Sequence, residues 1–259
     1  MPFEHLKLET EGRIGWIFFN RPEKLNALNS SVYLELEQAL AAWQNDDAIS
    51  AVVLCGGERA FIAGADIDGM VDAGPMEAHE LTDISRRAQE RLCNLPKPTV
   101  AAISGYALGG GLEVALCCDF RLAAENAILG LPEITLGIIP GAGGTQRLPR
   151  VVGQAAATEM IFLGRPVKAA KALEMGLVHR VVSLDQLRVG AQELAKELAS
   201  RPAMALRAAK AALRAASSTS LQEGLLIEQQ LFSQLFTTQD QSEGMKAFLE
   251  KRKPHFQGK

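Results

Sequence analysis

Short apolar runs separated by glycine-rich breaks occupy the first part of the chain, and amphipathic helical stripes fill the rest. His5 to Phe19 reads as two strands around the turn Thr10-Glu11-Gly12, with Ile14, Trp16 and Phe18 alternating as on a half-buried strand. Ser30 and Ser31 are placed to cap a helix reaching about Gln44, with Val32, Leu36, Ala39, Leu40 and Trp43 on one stripe. Ala51 to Cys55 is a continuous apolar run ending in Gly56-Gly57, the pattern of a strand buried on both faces. The theme repeats at Thr99–Ile103, followed by a glycine-rich turn over Gly105–Gly111, a helix to about Cys118 and a strand at Phe120–Ala123. Strands alternating with helices at this interval predict an α/β architecture with right-handed crossovers. From Gly153 the pattern is almost wholly helical, apart from a strand-like Leu177–Val182. The amphipathic segments are Leu184–Ala199, Ala203–Ala216, Leu221–Phe236 and Ser242–Lys251. Val71–Ala88 reads as a loop of unassigned course. The change from β-rich to helical falls near residue 200, so residues 1–200 form the expected α/β core and 201–259 a separate helical region.

Composition narrows the function classes. With 259 residues, 47% hydrophobic and 22% charged, the chain can bury a full core and needs no membrane or disulfide support. A net charge of −3 argues against a general nucleic-acid or membrane-surface binder. The least charged stretch, Pro98–Leu112, is too short to span a bilayer. No signal-peptide pattern precedes it, so a cytoplasmic location is expected. Cys55, Cys93, Cys117 and Cys118 form no C-x-x-C pair and sit in apolar surroundings, which predicts reduced, buried, unreactive thiols. His5, His79, His179 and His255 lack metal-ligand spacing, and no metal is expected.

Three segments carry candidate chemistry. Arg59–Ile67 follows a buried strand, and its small residues let backbone approach a ligand at a strand's carboxyl end. Gly105–Glu113 places glycines at a helix start, where free N–H groups and the helix dipole favour negative charge. Glu113 comes three residues after Gly110 and returns to the same helix face, beside those donors. In the third, Gly130–Leu148, Glu133 is an isolated carboxyl among apolar residues, with the raised pKa a general acid needs. No G-x-x-x-x-G-K-[ST], complete G-x-G-x-x-G or nucleophile-elbow serine is present. Spacing alone goes no further than an α/β protein with an anion site.

Taken together, five stretches resemble the crotonase (enoyl-CoA hydratase/isomerase) superfamily. They are Asn20–Leu28, Phe61–Asp66, Gly105–Glu113, Pro132–Arg147 and Glu243–Arg252, in order along nearly the whole chain. The resemblance implies a spiral of ββα units followed by a C-terminal helical trimerisation region, assembled as a homotrimer or homohexamer. It implies that the backbone N–H groups of Ala63 and Gly110 form an oxyanion hole. It also places Lys24, Ala27, Gly64, Ala65, Asp66 and Ile67 around the coenzyme A moiety of the substrate. Hydratases of the family carry glutamates at the positions of Glu113 and Glu133, so the implied activity is hydration of 2-trans-enoyl-CoA to 3-hydroxyacyl-CoA. Coenzyme A enters as part of the substrate, and no cofactor is expected. Methylglutaconyl-CoA hydratase and enoyl-CoA isomerase are the alternatives.

One subgroup of such hydratases binds RNA through a lysine-rich first helix. Ser30–Gln44 contains no Lys or Arg, so no nucleic-acid partner is expected here. Arg207, Lys210 and Arg214 form a basic stripe, read as a solvated face or a phosphate contact. Lys251-Arg252-Lys253, with Phe248 and Phe256, reads as a frayed tail or a contact to a neighbouring subunit's nucleotide pocket.

Overall fold

The computed structural model of the chain describes residues 3–259. It opens with antiparallel strands β1 (Leu6–Glu11) and β2 (Ile14–Phe19), followed by helix α1 (Ser30–Gln44). Three turns of a repeating unit come next. The first is β3 (Ala51–Cys55), β4 (Ala60–Ile62) and α2 (Pro75–Asn94). The second is β5 (Thr99–Ile103), β6 (Tyr106–Leu108) and α3 (Gly110–Cys117). The third is β7 (Phe120–Ala124) and β8 (Ile128–Gly130), leading into α4 (Gly144–Val152) and α5 (Gln154–Leu163). Then follow β9 (Val167–Lys168), α6 (Ala169–Glu174), β10 (Arg180–Val182) and helices α7 (Leu187–Ala199), α8 (Ala203–Ala215), α9 (Leu221–Leu235) and α10 (Gln239–Leu249).

The first strand of each turn joins a six-stranded sheet of order β1-β2-β3-β5-β7-β10, parallel from β2 onward. The second joins a four-stranded sheet of order β4-β6-β8-β9. The predicted spiral of ββα units is therefore the observed fold. Alternation along β3 shows why its strand is apolar throughout. Val52 and Leu54 face the core shared with α1 and α3, whereas Ala51, Val53 and Cys55 face a second core closed by Leu187, Ala191 and Leu194 of α7.

Several local expectations differ from the structure. Asn29, not Ser30 or Ser31, caps α1: its side-chain oxygen accepts from the Val32 N–H at 3.0 Å. The segment read as a loop over Val71–Ala88 is largely α2, entered through Gly74-Pro75 with proline in the first turn. Its inward face holds Ser85, Ala88, Gln89 and Leu92, too polar and too small to give a hydrophobic stripe. The glycine-rich turn contains β6, and the strand-like Leu177–Val182 shortens to Arg180–Val182. No helix of the described residues is long and apolar enough to cross a membrane.

No thiol is bridged; Cys55, Cys117 and Cys118 are buried, and burial pushes the Cys55 thiol up to about 12. Cys93 departs from the expected pattern. It is only half-buried, and the neighbouring Cys117, with the charges of Arg147, Arg214 and Lys210, holds it below the usual thiol range against the effect of burial. Lys210 of the basic stripe pairs with Asp119 at 2.7 Å, so its charge is already matched.

Candidate active site

The small sheet gathers the site. β4 runs parallel to β6, with Ile62 opposite Ala107, and β6 runs parallel to β8, with Leu108 opposite Gly130. The residues following these three strands therefore leave at the same end, the usual place for a ligand in parallel α/β folds. Ala63–Ala65, Gly109–Gly110 and Leu131–Glu133 are brought together from three separate parts of the chain. A cavity of about 550 Å³ opens there, bordered by Ala65, Gly110, Glu113 and Glu133 among others.

The oxyanion assignment needs one correction. The N–H of Ala63 is already spent: it donates to the Leu25 carbonyl at 3.0 Å and helps tie the Arg21–Leu28 loop to the end of β4. The N–H of Ala65 has no acceptor among the described residues, and Ala65 borders the cavity as Ala63 does not. Gly110, first residue of α3, likewise has an N–H with no acceptor, as the start of a helix leaves it. The donor pair facing the cavity is Ala65 and Gly110. Sequence reading took Ala65 only as a substrate contact, because alternate small residues in Ala63-Gly64-Ala65 cannot be told apart without their hydrogen-bond partners.

The two glutamates flank this pair. A side chain added at Gly109 would begin 3.0 Å from Oε1 of Glu133, and one added at Gly110 would begin 4.0 Å from Oε2 of Glu113. Glu113 is buried, 2% exposed, within the wholly buried α3. Its Oε1 accepts from the N–H groups of Ala142 at 2.9 Å and Gly144 at 2.7 Å, which fixes the carboxyl and leaves Oε2 toward the cavity. Burial raises its pKa, while those two donors and the charge of Arg147 oppose the rise.

Glu133 begins a 3-10 turn that ends at Gly137. Its Oε2 is shut off from solvent and has no partner. Burial outweighs the hydrogen bond from the residue's own N–H and, with the charge of Glu113 adding to it, pushes this carboxyl up to about 7. One carboxyl is held by two amide donors from another loop and the other keeps an oxygen without a partner, the asymmetry a base and an acid require.

Arg147 and Gln89 were missed as supports. Arg147 Nη1 donates to the Ala142 carbonyl at 2.7 Å and to Oε1 of the buried Gln89 at 3.0 Å, linking the Gly141–Gly144 loop to α2. Gly143, at φ 107°, leaves room for the guanidinium: a Cβ there would stand 2.0 Å from Nη1. Asn26 was missed as well. Buried and at φ 60°, it donates to the carbonyls of Ala60 and Phe61, and its side-chain oxygen accepts from the Arg21 N–H.

The remaining predicted contacts are tied to one another beside Leu28 and Ala65, which border the cavity. Leu28 N–H donates to the Gly64 carbonyl and Asp66 N–H to the Leu28 carbonyl. Asp66 pairs with Arg21 at 3.0 Å, and the exposed Lys24 pairs with Asp68 at 2.5 Å. Ala27 accepts from Arg21 through its carbonyl, and Ile67 is exposed. Among the described residues, no group of three or more His, Cys, Asp and Glu is arranged to hold a metal.

Comparison with known proteins gives the family. The sequence model of the family described as enoyl-CoA hydratase/isomerase matches residues 9–259. A probable enoyl-CoA hydratase of Rhizobium meliloti is 48% identical over 256 residues, covering 99% of both chains. A crotonyl-CoA hydratase of Syntrophomonas wolfei is 41% identical, again over 99% of both. The crystal structure of an enoyl-CoA hydratase from Bacillus anthracis superposes with a TM-score of 0.95 at 40% identity, covering 99% of this chain and 100% of that one. The chain thus belongs to the enoyl-CoA hydratase/isomerase family.

Proposed function

We propose that the protein is an enoyl-CoA hydratase, adding water across the double bond of a 2-trans-enoyl-CoA to give the 3-hydroxyacyl-CoA. The observation that carries this reading is the unlike pair of carboxyls on one cavity: Glu113 pinned through Oε1 by two amides, Glu133 with a buried, unpartnered Oε2. A water held between them lies over the double bond. Glu113, as the carboxylate, takes a proton from that water as its oxygen bonds to C3, and Glu133, as the acid, delivers a proton to C2. Return of the proton from Glu113 to Glu133 through solvent restores the starting state. The enolate charge growing on the thioester oxygen is met by the N–H groups of Ala65 and Gly110, donors fixed in place before the reaction starts. Binding both reactants in one cavity removes the entropic cost of their encounter.

Lys24, Ala27, Gly64, Asp66 and Ile67, near Leu28 and Ala65, are assigned to the coenzyme A portion. The reaction needs no cofactor, because the activating thioester is part of the substrate. Isomerisation of a 3-enoyl thioester needs one carboxyl to move a proton between carbons, and it gives no role to the pinned Glu113. Hydration uses both.

The test is the ultraviolet absorbance of the conjugated thioester. Purified protein should bleach crotonyl-CoA and yield 3-hydroxybutyryl-CoA. A folded protein that leaves crotonyl-CoA untouched yet converts a 3-enoyl-CoA to the 2-enoyl isomer would make it an isomerase instead.

Assembly is proposed on separate grounds. Residues 201–259 form the proposed helical unit. α9 buries none of its residues, and Leu221, Leu226 and Phe232 are each more than half exposed. Apolar surface on that scale is covered in stable proteins. We assign it to other copies of the chain in a homotrimer, alone or paired as a hexamer. Sedimentation equilibrium should return three or six chain masses, and a single chain mass would remove this assignment. The unbridged cysteines suit a reducing compartment such as the cytoplasm.

A further inference from the structure

The cavity beyond the two glutamates has walls of one chemical character. α2 presents Ala78, Leu81, Thr82 and Ser85 to it, at the spacing of one helix face. Ile134, Ile138 and Ile139, in and just after the turn that Glu133 begins, also border it. All three isoleucines are exposed, Ile139 to 64%, and a hydrocarbon chain lying in the cavity would cover them.

The hydroxyls on the α2 wall are already used. Thr82 Oγ1 donates to the His79 carbonyl at 2.8 Å, and Ser85 Oγ donates to the Thr82 carbonyl at 2.9 Å. Among the described residues, the ionisable side chains bordering the cavity are Tyr33, Glu113 and Glu133, and none is Lys, Arg or His. Burial holds the Tyr33 phenol neutral. Arg147, which does not border the cavity, spends Nη1 on Gln89 and Ala142. On the outer face of α2, His79 and Arg86 are paired with Asp83 and Glu90.

We propose that this cavity selects 2-enoyl thioesters whose acyl tail is uncharged hydrocarbon and rejects those ending in a carboxylate, with the Ala78–Leu81–Thr82 face of α2 as the wall that decides. The inference rests on the hydratase reading and names its substrate class. Apolar walls reward each buried methylene. A terminal carboxylate among these walls would give up part of its water, find no counter-ion and meet the negative field of Glu113 and Glu133. Dicarboxylic substrates of the methylglutaconyl type are excluded on the same ground.

The experiment compares kcat/KM for crotonyl-CoA, 2-hexenoyl-CoA and 2,3-dehydroadipyl-CoA. The last two share six acyl carbons and differ in ending in methyl or carboxylate. 2-Hexenoyl-CoA should be preferred over 2,3-dehydroadipyl-CoA by about a hundredfold or more, the scale of burying an unpaired charge. Leu81→Arg, with Ala78→Lys as a second variant on the same face, supplies a cation and should narrow that ratio at least about tenfold. Equal rates on the two six-carbon substrates would overturn the proposal, and a ratio unmoved by either cation would remove α2 as the deciding wall. Crotonyl-CoA separates the two levels: if it is not hydrated, the hydratase reading itself fails, whatever the ratio of the longer substrates.

Discussion

Glu113→Gln and Glu133→Gln should each lower kcat for crotonyl-CoA hydration by about a hundredfold to ten-thousandfold, the range for losing a positioned acid or base. The two losses have different causes. In Glu113→Gln the amide oxygen keeps the donors from Ala142 and Gly144, so the side chain stays in place. Its nitrogen then faces the cavity as a donor, unable to draw a proton from water. In Glu133→Gln the proton bound for C2 is missing.

Wild type should show the matching pH dependence. With Glu133 titrating near 7, kcat/KM for hydration should fall as pH rises above about 7. The limb on kcat should lie higher, because bound substrate removes the remaining solvent from the carboxyl.

Stability should move opposite to activity in Glu133→Gln. The folded carboxyl titrates near 7, and in the unfolded chain it returns to about 4.5. Between those values the native state holds the extra proton, so wild-type stability falls as pH rises through that window and stays lower above it. Glutamine carries no such penalty. Because the residue is only half-buried, the full shift is discounted, and a gain of about 1 kcal/mol at pH 8 is expected. The gain should vanish below about pH 4.5. Denaturant melts of both proteins at pH 8 and pH 4 check it; a variant no more stable at pH 8 would mean that Glu133 is ionised without cost.

Gly111→Ala should cost about 3 kcal/mol or more, lowering Tm by on the order of 10 °C. A methyl at this position would lie 2.2 Å from the Ile62 carbonyl oxygen, which belongs to strand β4 and cannot rotate aside. α3 would have to lift off β4, carrying Gly110 and Glu113 away from Ala65. Activity should therefore fall even at temperatures where the variant remains folded. Gly69→Ala makes the same chemical change where nothing lies within 4 Å, and it should stay within about 0.5 kcal/mol of wild type. Equal melting curves for the two variants would show that α3 does not depend on this close approach.

The glycine run also shows what a sequence can convey. Its density announced close packing and free amides together, and both are present: Gly111 packs against Ile62, and Gly110 offers its N–H. Which glycine does which is a matter of three-dimensional neighbours. The long strands β2, β3, β5 and β7 were legible because their alternation or apolar run extends over five or six residues. Strands β4, β6 and β8, three residues each, were not, and they are the ones that assemble the site. Glu133 was legible as a carboxyl alone among apolar residues. Arg147 was not, since its place in an ordinary amphipathic pattern hides that it grips the Ala142 carbonyl. α2 escaped notice because the face it turns inward is small and polar, and the acyl wall escaped with it.

Main-chain amides, not side chains, hold Glu113, the proposed base. The donors to Glu113 belong to Ala142 and Gly144, so a mutation that exchanges the Ala142 side chain leaves its N–H where it was. Gly144 lacks that latitude, since a methyl there would stand 2.8 Å from Pro140 and 3.0 Å from Glu113 Oε1. Ala142 borders the cavity, as do Ala78 and Leu81. The loop that carries the reaction's machinery thus also offers a heritable dial for substrate choice. Lineages can drift from one acyl chain to another by side-chain replacement while the chemistry passes unaltered from parent to descendant.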